Sequence, residues 1–233
     1  MGKEEDVLEI YITQINELMN EDIYNMAYVL LPQNRKDKAG RMKMQQGRCQ
    51  SVAAGLLLNY AVKKWVKRNT AFDMENDTIH NISMLDAIKE YDQEYDYETG
   101  TNSSGKPYFI NFPDIYFNIS HSGKYVACVV SDKEVGIDIE GDRKASISLA
   151  GRFFCPEEVS WINEADSEDR FFRIWTLKEA YGKAIGCGVL EILSKVVYKI
   201  IDGEMKAYIN DDIQSIKIIE LEIENYKIAA IEL

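Results

Sequence analysis

Gly136-Ile137-Asp138-Ile139-Glu140 is a short stretch in which isoleucine and acidic residues alternate. Alternate side chains of a β-strand point to the same face, so the alternation predicts a strand with both carboxylates on one face. The two isoleucines then point to the opposite face, and an apolar run just upstream indicates that the strand belongs to a buried sheet. Carboxylates at such a place need a compensating partner.

A second acidic segment, residues 175–183 with the sequence WTLKEAYGK, lacks this alternation and predicts a helix. Glu179 and Lys183 are four residues apart and therefore share one helix face. Together with the carboxylates of the strand they supply three hard oxygen ligands and one ammonium, a set that suits Mg²⁺ and a bound phosphate. The same residues also fit a surface ladder of acids and a solvated helical ion pair, so the two motifs alone leave these interpretations open.

Composition restricts the possible partners. The chain has 233 residues, 46% of them hydrophobic, and can bury a substantial core as one large domain or two small ones. Its formal net charge of −12 argues against nucleic acid, because binding to a phosphate backbone needs a basic face. The charged start leads into an apolar run too short for a signal peptide or a membrane span. We therefore expect a cytoplasmic protein that binds neither nucleic acid nor membrane.

The four cysteines are far apart and mostly lie in apolar contexts, which predicts reduced core thiols rather than disulfides or zinc ligands. They are Cys49, Cys128, Cys155 and Cys187.

The order of predicted elements suggests two similar halves. A first strand precedes a long helical region over 35–68, which is basic at first and then apolar. An acidic stretch over 72–100 is predicted to be a surface excursion, and a second helical block over 156–185 is followed by alternating strand patterns. We predict an α/β (α+β) fold with two similar halves, residues 1–116 and 117–233.

Two further places could bind an anion. Ser120 and His121 follow a predicted strand and precede a glycine, a combination that can form a turn with several hydrogen-bond donors. The alternative is a turn histidine whose hydrogen bonds are satisfied locally. Lys106 lies on a predicted loop, where it is either a ligand for an anion or simply a solvated charge.

Five motifs in order carry a resemblance to a known family. They are Gly-Lys-Pro at 105–107, Asn-Ile-Ser-His-Ser at 118–122, the strand at 136–140 with Arg143, Arg-Phe-Phe-Cys-Pro-Glu-Glu at 152–158, and the helix at 175–183. In this region the chain resembles the 4′-phosphopantetheinyl transferases of the surfactin-synthetase-activating type. The segments before and after match that family more loosely.

The resemblance implies a pseudodimer of two halves, each a small, mainly antiparallel sheet packed against a long helix, with coenzyme A bound in the cleft between them. It also implies an enzyme that moves the phosphopantetheine arm of coenzyme A to a serine of an apo acyl or peptidyl carrier protein. Mg²⁺ is the implied cofactor, and adenosine 3′,5′-bisphosphate is the implied product. The implied magnesium ligands are Asp138, Glu140 and Glu179. Of these, Asp138 and Glu179 also count as catalytic, Glu179 as a candidate base for the serine proton, together with Lys183 on the phosphate.

The resemblance also implies a set of coenzyme-binding residues. They are Arg35, Lys38, Arg48, Lys106, Ser120, His121, Lys183 and Glu158, the last with Glu157 as an equally placed neighbour. A basic cluster near the start of the helical region would let a strongly acidic protein hold a polyanion, and its alternative is a solvated helix face.

Two other classes of function use the same residues. A metal-dependent phosphohydrolase could use the same acids to activate a water nucleophile, and it would act on coenzyme A-like substrates without a carrier protein. A binding protein could hold coenzyme A or a carrier domain without chemistry. We expect a monomer, because a chain that already contains two halves has less need to pair.

Overall fold

The computed structural model describes residues 8–70, 78–141 and 144–233. The contacts divide the chain into two compact units. The first comprises Met1–Gly100 and Pro107–Asp132, and the second comprises Thr101–Lys106 and Lys133–Leu233. Each unit has its own strands and its own long helix.

The first unit is built on a four-stranded sheet. Numbered in chain order, the strands are β1 (Leu8–Gln14), β2 (Ile79–Asn81), β3 (Thr99–Thr101), β4 (Pro107–Phe109), β5 (Tyr116–Ser122) and β6 (Tyr125–Ser131). The helices are α1 (Glu21–Leu30), α2 (Gln33–Gly40), α3 (Gln45–Thr70) and α4 (Met84–Lys89). The sheet order is β2-β1-β6-β5, with β1 and β2 parallel and the other pairs antiparallel, while β3 and β4 pair separately.

The long helix α3 packs its apolar side onto β1 and β6. Its middle is rich in alanine and leucine, residues with high helix propensity, and these side chains are buried. Near its end Arg68 forms an ion pair with Glu9 of β1, whose other carboxylate oxygen accepts a hydrogen bond from Tyr11. The predicted helical region over 35–68 consists of two helices, α2 and α3. The break follows Gly40, and glycine lowers helix stability.

The acidic stretch differs from its prediction. Its described part contributes Met84, Ala87 and Tyr97 to the hydrophobic core of the first unit. Ser83 caps α4 by accepting a hydrogen bond from the Asp86 N–H at 3.0 Å. Residues 78–100 therefore contribute three buried side chains to the core, while their other residues are exposed or partly exposed. The prediction of a surface excursion was wrong for Met84, Ala87 and Tyr97, because these side chains lie between the acidic residues of the stretch and pack into the core.

The second unit contains two antiparallel three-stranded sheets. Its helices are α5 (Ile147–Phe153), α6 (Pro156–Glu164), α7 (Ser167–Ile185) and α8 (Val189–Ile192). Its strands are β7 (Val135–Glu140), β8 (Val196–Ile201), β9 (Glu204–Ile209), β10 (Asp212–Ile213), β11 (Lys217–Ile223) and β12 (Tyr226–Glu232). One sheet has the order β11-β12-β7 and the other β10-β9-β8. Helix α7 packs on β7 and β12.

The mixed α/β class with small, mainly antiparallel sheets packed against long helices is confirmed. The pseudodimer and the boundary after residue 116 remain predictions. The compact units divide after Asp132, because β5 and β6 pair in the sheet of β1. None of the described helices is both long and apolar enough to cross a bilayer.

Candidate active site

Strand β7 and helix α7 approach each other more closely than side chains normally allow. A Cβ atom built at Gly136 would lie 2.1 Å from the Ala180 carbonyl oxygen and 2.4 Å from the Ala184 nitrogen. Only glycine fits such a backbone-to-backbone contact. Since alternate residues of a strand share a face, Asp138 and Glu140 follow Gly136 on the face that meets α7. Ile137 and Ile139, on the opposite face, are buried as predicted.

Asp138 lies against Lys183 of the helix. Its side chain is buried, with a relative exposure of 4% for the residue. The Lys183 ammonium lies 2.6 Å from Asp138 Oδ1 and also donates to the Ile137 carbonyl oxygen at 3.1 Å. The side chain of Lys183 keeps 29% of its surface exposed. The strand carboxylate and the helix ammonium therefore meet, as the two sequence motifs suggest.

Two turns before Lys183, the helix contacts the second strand acid. The Trp175 Nε1–H donates to Glu140 Oε1 at 3.3 Å. Glu179 lies midway between Trp175 and Lys183 at four-residue spacing, so all three share one helix face. We call these residues the acidic seam: Asp138 and Glu140 on β7 with Trp175, Glu179 and Lys183 on α7.

The donors of the seam suit a hard cation, because such ions prefer carboxylate oxygens and the seam has three carboxylates, two on the strand and one on the facing helix. Within residues 8–70, 78–141 and 144–233, however, no three His, Cys, Asp or Glu side chains form a cluster that could hold a metal ion. Asp138 is engaged by Lys183, and Glu140 accepts from Trp175. The magnesium ligands therefore stay a prediction. Arg143 lies outside the described residues.

Lys106 lies at the carboxyl end of α7, next to the turn that carries Lys183. Its ammonium donates to the Ala184 carbonyl oxygen at 2.5 Å and forms an ion pair with Glu134, and only 10% of its side chain is exposed. A lysine at this position satisfies a terminal carbonyl and complements the helix dipole. In this structure Lys106 thus holds the end of α7, and coenzyme binding by it stays a prediction.

Glu158 has an internal position. Its side chain is completely buried, caps α6 by accepting from the Cys155 N–H at 3.1 Å, and pairs with Lys178 at 3.0 Å. Burial raises the pKa of Glu158, although the Lys178 charge opposes this, and burial lowers the pKa of Lys178. A coenzyme contact with Glu158 stays a prediction and would require the buried side chain to come out. The neighbouring Glu157 is exposed.

In the first unit, Arg35 turns towards the protein. Its Nη2 donates to the Ser51 carbonyl oxygen of α3 at 2.8 Å, which ties α2 to α3. Lys38, one turn further along α2, is exposed, and partial burial of its ammonium together with the Arg35 charge lowers its pKa. Arg48, in the first turn of α3, is also exposed. We call these three residues the basic region.

Ser120 and His121 lie within β5 rather than in the turn after it. They pair with Ala127 and Val126 of β6, and the turn itself is made by Gly123 with a positive φ of 51°. Ser120 is buried and His121 is exposed.

The start of α3 lies against the β5–β6 turn. Gln46 and Gln50, which flank Arg48, both donate to the Gly123 carbonyl oxygen, at 2.7 and 2.9 Å. The first unit therefore brings the start of α3, with Arg48, close to the end of β5.

The sequence analysis did not predict the roles of three residues at or near the seam. Gly136 permits the close approach, Trp175 binds Glu140, and Lys178 pairs with Glu158. A signal exists for Lys178, because Ile174 and Tyr181, which share its helix face at four and three residues' distance, are apolar. The partners of Trp175 and Lys178 come from distant parts of the chain and leave no local pattern.

Comparison with known proteins identifies the second unit. Residues 134–231 match the model of the 4′-phosphopantetheinyl transferase superfamily. A 4′-phosphopantetheinyl transferase of Bacillus subtilis is 41% identical over 93 residues, which cover 39% of this chain and 42% of the relative. The 4′-phosphopantetheinyl transferase gsp of Aneurinibacillus migulanus is 45% identical over 91 residues, covering 38% of each chain. The protein Sfp of Bacillus subtilis strain 168, which bears the same enzyme name, is 38% identical over 97 residues, covering 40% of this chain and 43% of Sfp.

The resemblance seen in the motifs is thus confirmed for residues 134–231, which have the sequence of a 4′-phosphopantetheinyl transferase superfamily domain. The matched region contains β7 and α7 and therefore the whole acidic seam. The chain spans about two fifths of the length of the curated relatives that it matches.

Proposed function

We propose that the protein transfers the 4′-phosphopantetheine group of coenzyme A to a serine of an apo acyl or peptidyl carrier protein, with Mg²⁺ as cofactor. One observation carries the proposal. A region similar to enzymes of that name folds so that Lys183 of α7 lies 2.6 Å from Asp138 of β7, and these are two of the three residues that we propose as catalytic.

In the proposed reaction the serine oxygen bonds to the phosphorus that carries the pantetheine arm. The bond from that phosphorus to the bridging oxygen breaks, and adenosine 3′,5′-bisphosphate leaves. Such a displacement depends on positioning and charge neutralisation more than on covalent help from the enzyme. When bound, Mg²⁺ would neutralise the pyrophosphate, and Asp138, Glu140 and Glu179 are the residues that would hold it.

The remaining roles belong to side chains of the seam. Lys183 is partly exposed, so its ammonium can turn from Asp138 to a phosphoryl oxygen. Glu179 is the candidate acceptor of the serine proton. Trp175, which donates to Glu140, holds that carboxylate beside the helix. Arg48, Lys38 and His121 are exposed in the first unit, where they are candidates for the coenzyme phosphates.

Mass spectrometry of a panel of purified apo carrier proteins, incubated with this protein, coenzyme A and Mg²⁺, tests the proposal. We expect at least one carrier to gain the mass of a single phosphopantetheine group, with release of adenosine 3′,5′-bisphosphate. A chelator, or replacement of the carrier serine by alanine, should abolish the gain. Consumption of coenzyme A while every carrier stays unmodified would favour the phosphohydrolase. Binding without consumption would favour a binding protein.

A further inference from the structure

Lys178 carries an ammonium in the interior of the second unit. Its side chain has no exposed surface. The ammonium donates to the carbonyl oxygens of Leu193, at 2.8 Å, and Val196, and it lies 3.0 Å from Glu158 Oε2. A lysine has three N–H donors, and here three acceptors surround them.

Glu158 completes the arrangement from the other side. Its Oε1 accepts from the Tyr198 N–H at 2.9 Å, and its Oε2 accepts from the Cys155 N–H at 3.1 Å as well as from Lys178. The pair therefore joins the start of α6, the middle of α7, the segment after α8 and the strand β8. Each of these contacts is a hydrogen bond or an ion pair between two specific atoms, and it therefore fixes the orientation of the side chain that makes it.

Lys178 immediately precedes Glu179, and successive residues of an α-helix project about 100° apart. Helix α7 is thus held on two different sides. Ala180 and Ala184 rest on the backbone at Gly136, and Lys178 is fixed by its acceptors. A helix held on one side only could roll about its axis, whereas contacts on two sides set its rotation.

We propose that the Glu158–Lys178 pair is a positioning device that sets the rotation of α7, so that Glu179 and Lys183 face Asp138 and Glu140. This inference rests on the proposed transferase function. A buried ion pair seldom adds stability over apolar side chains of the same size, so what it adds here is one defined orientation. Orientation matters at the seam, because a displacement of about 1 Å in a reacting group can cost on the order of 100-fold in rate.

The test removes both charges together, so that neither is left buried alone. Glu158→Gln with Lys178→Met keeps the volumes of both side chains. We expect the double variant to stay folded, with kcat lowered by about 10-fold or more and KM for coenzyme A changed by less than about threefold. Titration with Mn²⁺, followed by the electron paramagnetic resonance of the free ion, should show binding about 10-fold weaker, as for other residues that orient metal ligands.

The matched control is Glu191→Gln with Lys195→Met, which makes the same changes at two exposed positions on neighbouring segments. It should leave kcat, KM and Mn²⁺ binding unchanged. If the double variant does not fold, Lys178→Arg serves instead, because it keeps a charge opposite Glu158 while its planar guanidinium meets the acceptors in a different geometry; it should move the same quantities in the same direction.

A folded variant with normal kcat and normal Mn²⁺ binding would overturn the inference, as would equal losses in the control. If the wild-type protein modifies no carrier, the proposed function fails. The Mn²⁺ titration still decides whether the pair positions the seam.

Discussion

The acidic seam and the basic region both contain residues that the sequence predicts for one site, but their side chains behave differently. In the seam, short carboxylates on β7 point where the strand directs them, and Asp138 meets Lys183 at 2.6 Å. In the basic region, Arg35 folds back to the Ser51 carbonyl oxygen while Arg48 stays exposed. A short side chain follows the backbone, whereas a long one goes to whichever acceptor the tertiary structure offers.

The largest expected effect is at the strand end of the seam. Asp138→Asn keeps the size of the side chain but removes its negative charge. That charge pairs with Lys183, and Asp138 is also a proposed metal ligand. We expect the rate of carrier modification to fall by roughly 10³-fold, equivalent to about 4 kcal/mol of transition-state stabilisation. Initial rates by mass spectrometry measure it, with Asp212→Asn on exposed β10 as the control. Near-normal rates would remove β7 from the site.

The close contact beneath the seam gives the next effect. Gly136→Ala places a methyl group 2.1 Å from the Ala180 carbonyl oxygen. Because backbone must move to admit it, we expect the free energy of unfolding to drop by about 3 kcal/mol, at the upper end for overpacking. Urea denaturation measures this. Gly151→Ala on α5 is the control, since a Cβ there meets nothing within 4 Å. Equal stability of the two variants would contradict the packing of β7 on α7.

Substitution of Lys183 distinguishes two roles for its ammonium, as a ligand of the transferred phosphate or as half of a structural ion pair. Lys183→Ala should lower kcat/KM by roughly 10²-fold, or about 2.7 kcal/mol, if the ammonium stabilises the transferred group. Lys183→Arg should recover only part of this loss, because the planar guanidinium is not a compact ammonium. Steady-state kinetics with a carrier substrate decide the matter. A purely structural pair would instead leave the rate of the alanine variant intact and change only its stability.

The smallest expected effects are in the basic region, where Arg35 and Arg48 should affect different quantities. Arg35→Ala removes a partly buried hydrogen bond between α2 and α3, so we expect about 1 kcal/mol less stability. Arg48→Ala should leave stability unchanged and raise KM for coenzyme A about fivefold, or about 1 kcal/mol, if it contacts a coenzyme phosphate. Thermal melts and KM measured on both variants test the contrast. A stability loss for Arg48→Ala and a raised KM for Arg35→Ala would instead assign the structural role to Arg48 and the coenzyme contact to Arg35.

Much of the seam could be predicted from local pattern. Two-residue alternation places Asp138 and Glu140 on one strand face, and four-residue spacing places Glu179 and Lys183 on one helix face. These periods come from backbone geometry, which the local sequence sets. The order of strands and helices likewise predicts the α/β class, since sheets and helices are recognised from such periods.

Other features depended on distant partners. The acidic stretch joins the core through Met84, Ala87 and Tyr97, although its composition suggests the surface. Ser120 and His121 lie in β5 because their pairing with β6 extends to Ser122. Strand ends and buried positions are set by what packs on a segment, and a single segment carries little information about that.

By itself, the sequence determined the periodic elements, the faces on which the acidic residues lie, and the resemblance confirmed over residues 134–231. Only the tertiary structure decided which long side chains stay exposed. Arg35, Lys106 and Glu158 all find partners far along the chain, at Ser51, Ala184 and Lys178. The physical reason is that burial of a charged group requires a satisfied hydrogen-bonding environment, and such an environment is assembled only when separate segments pack together.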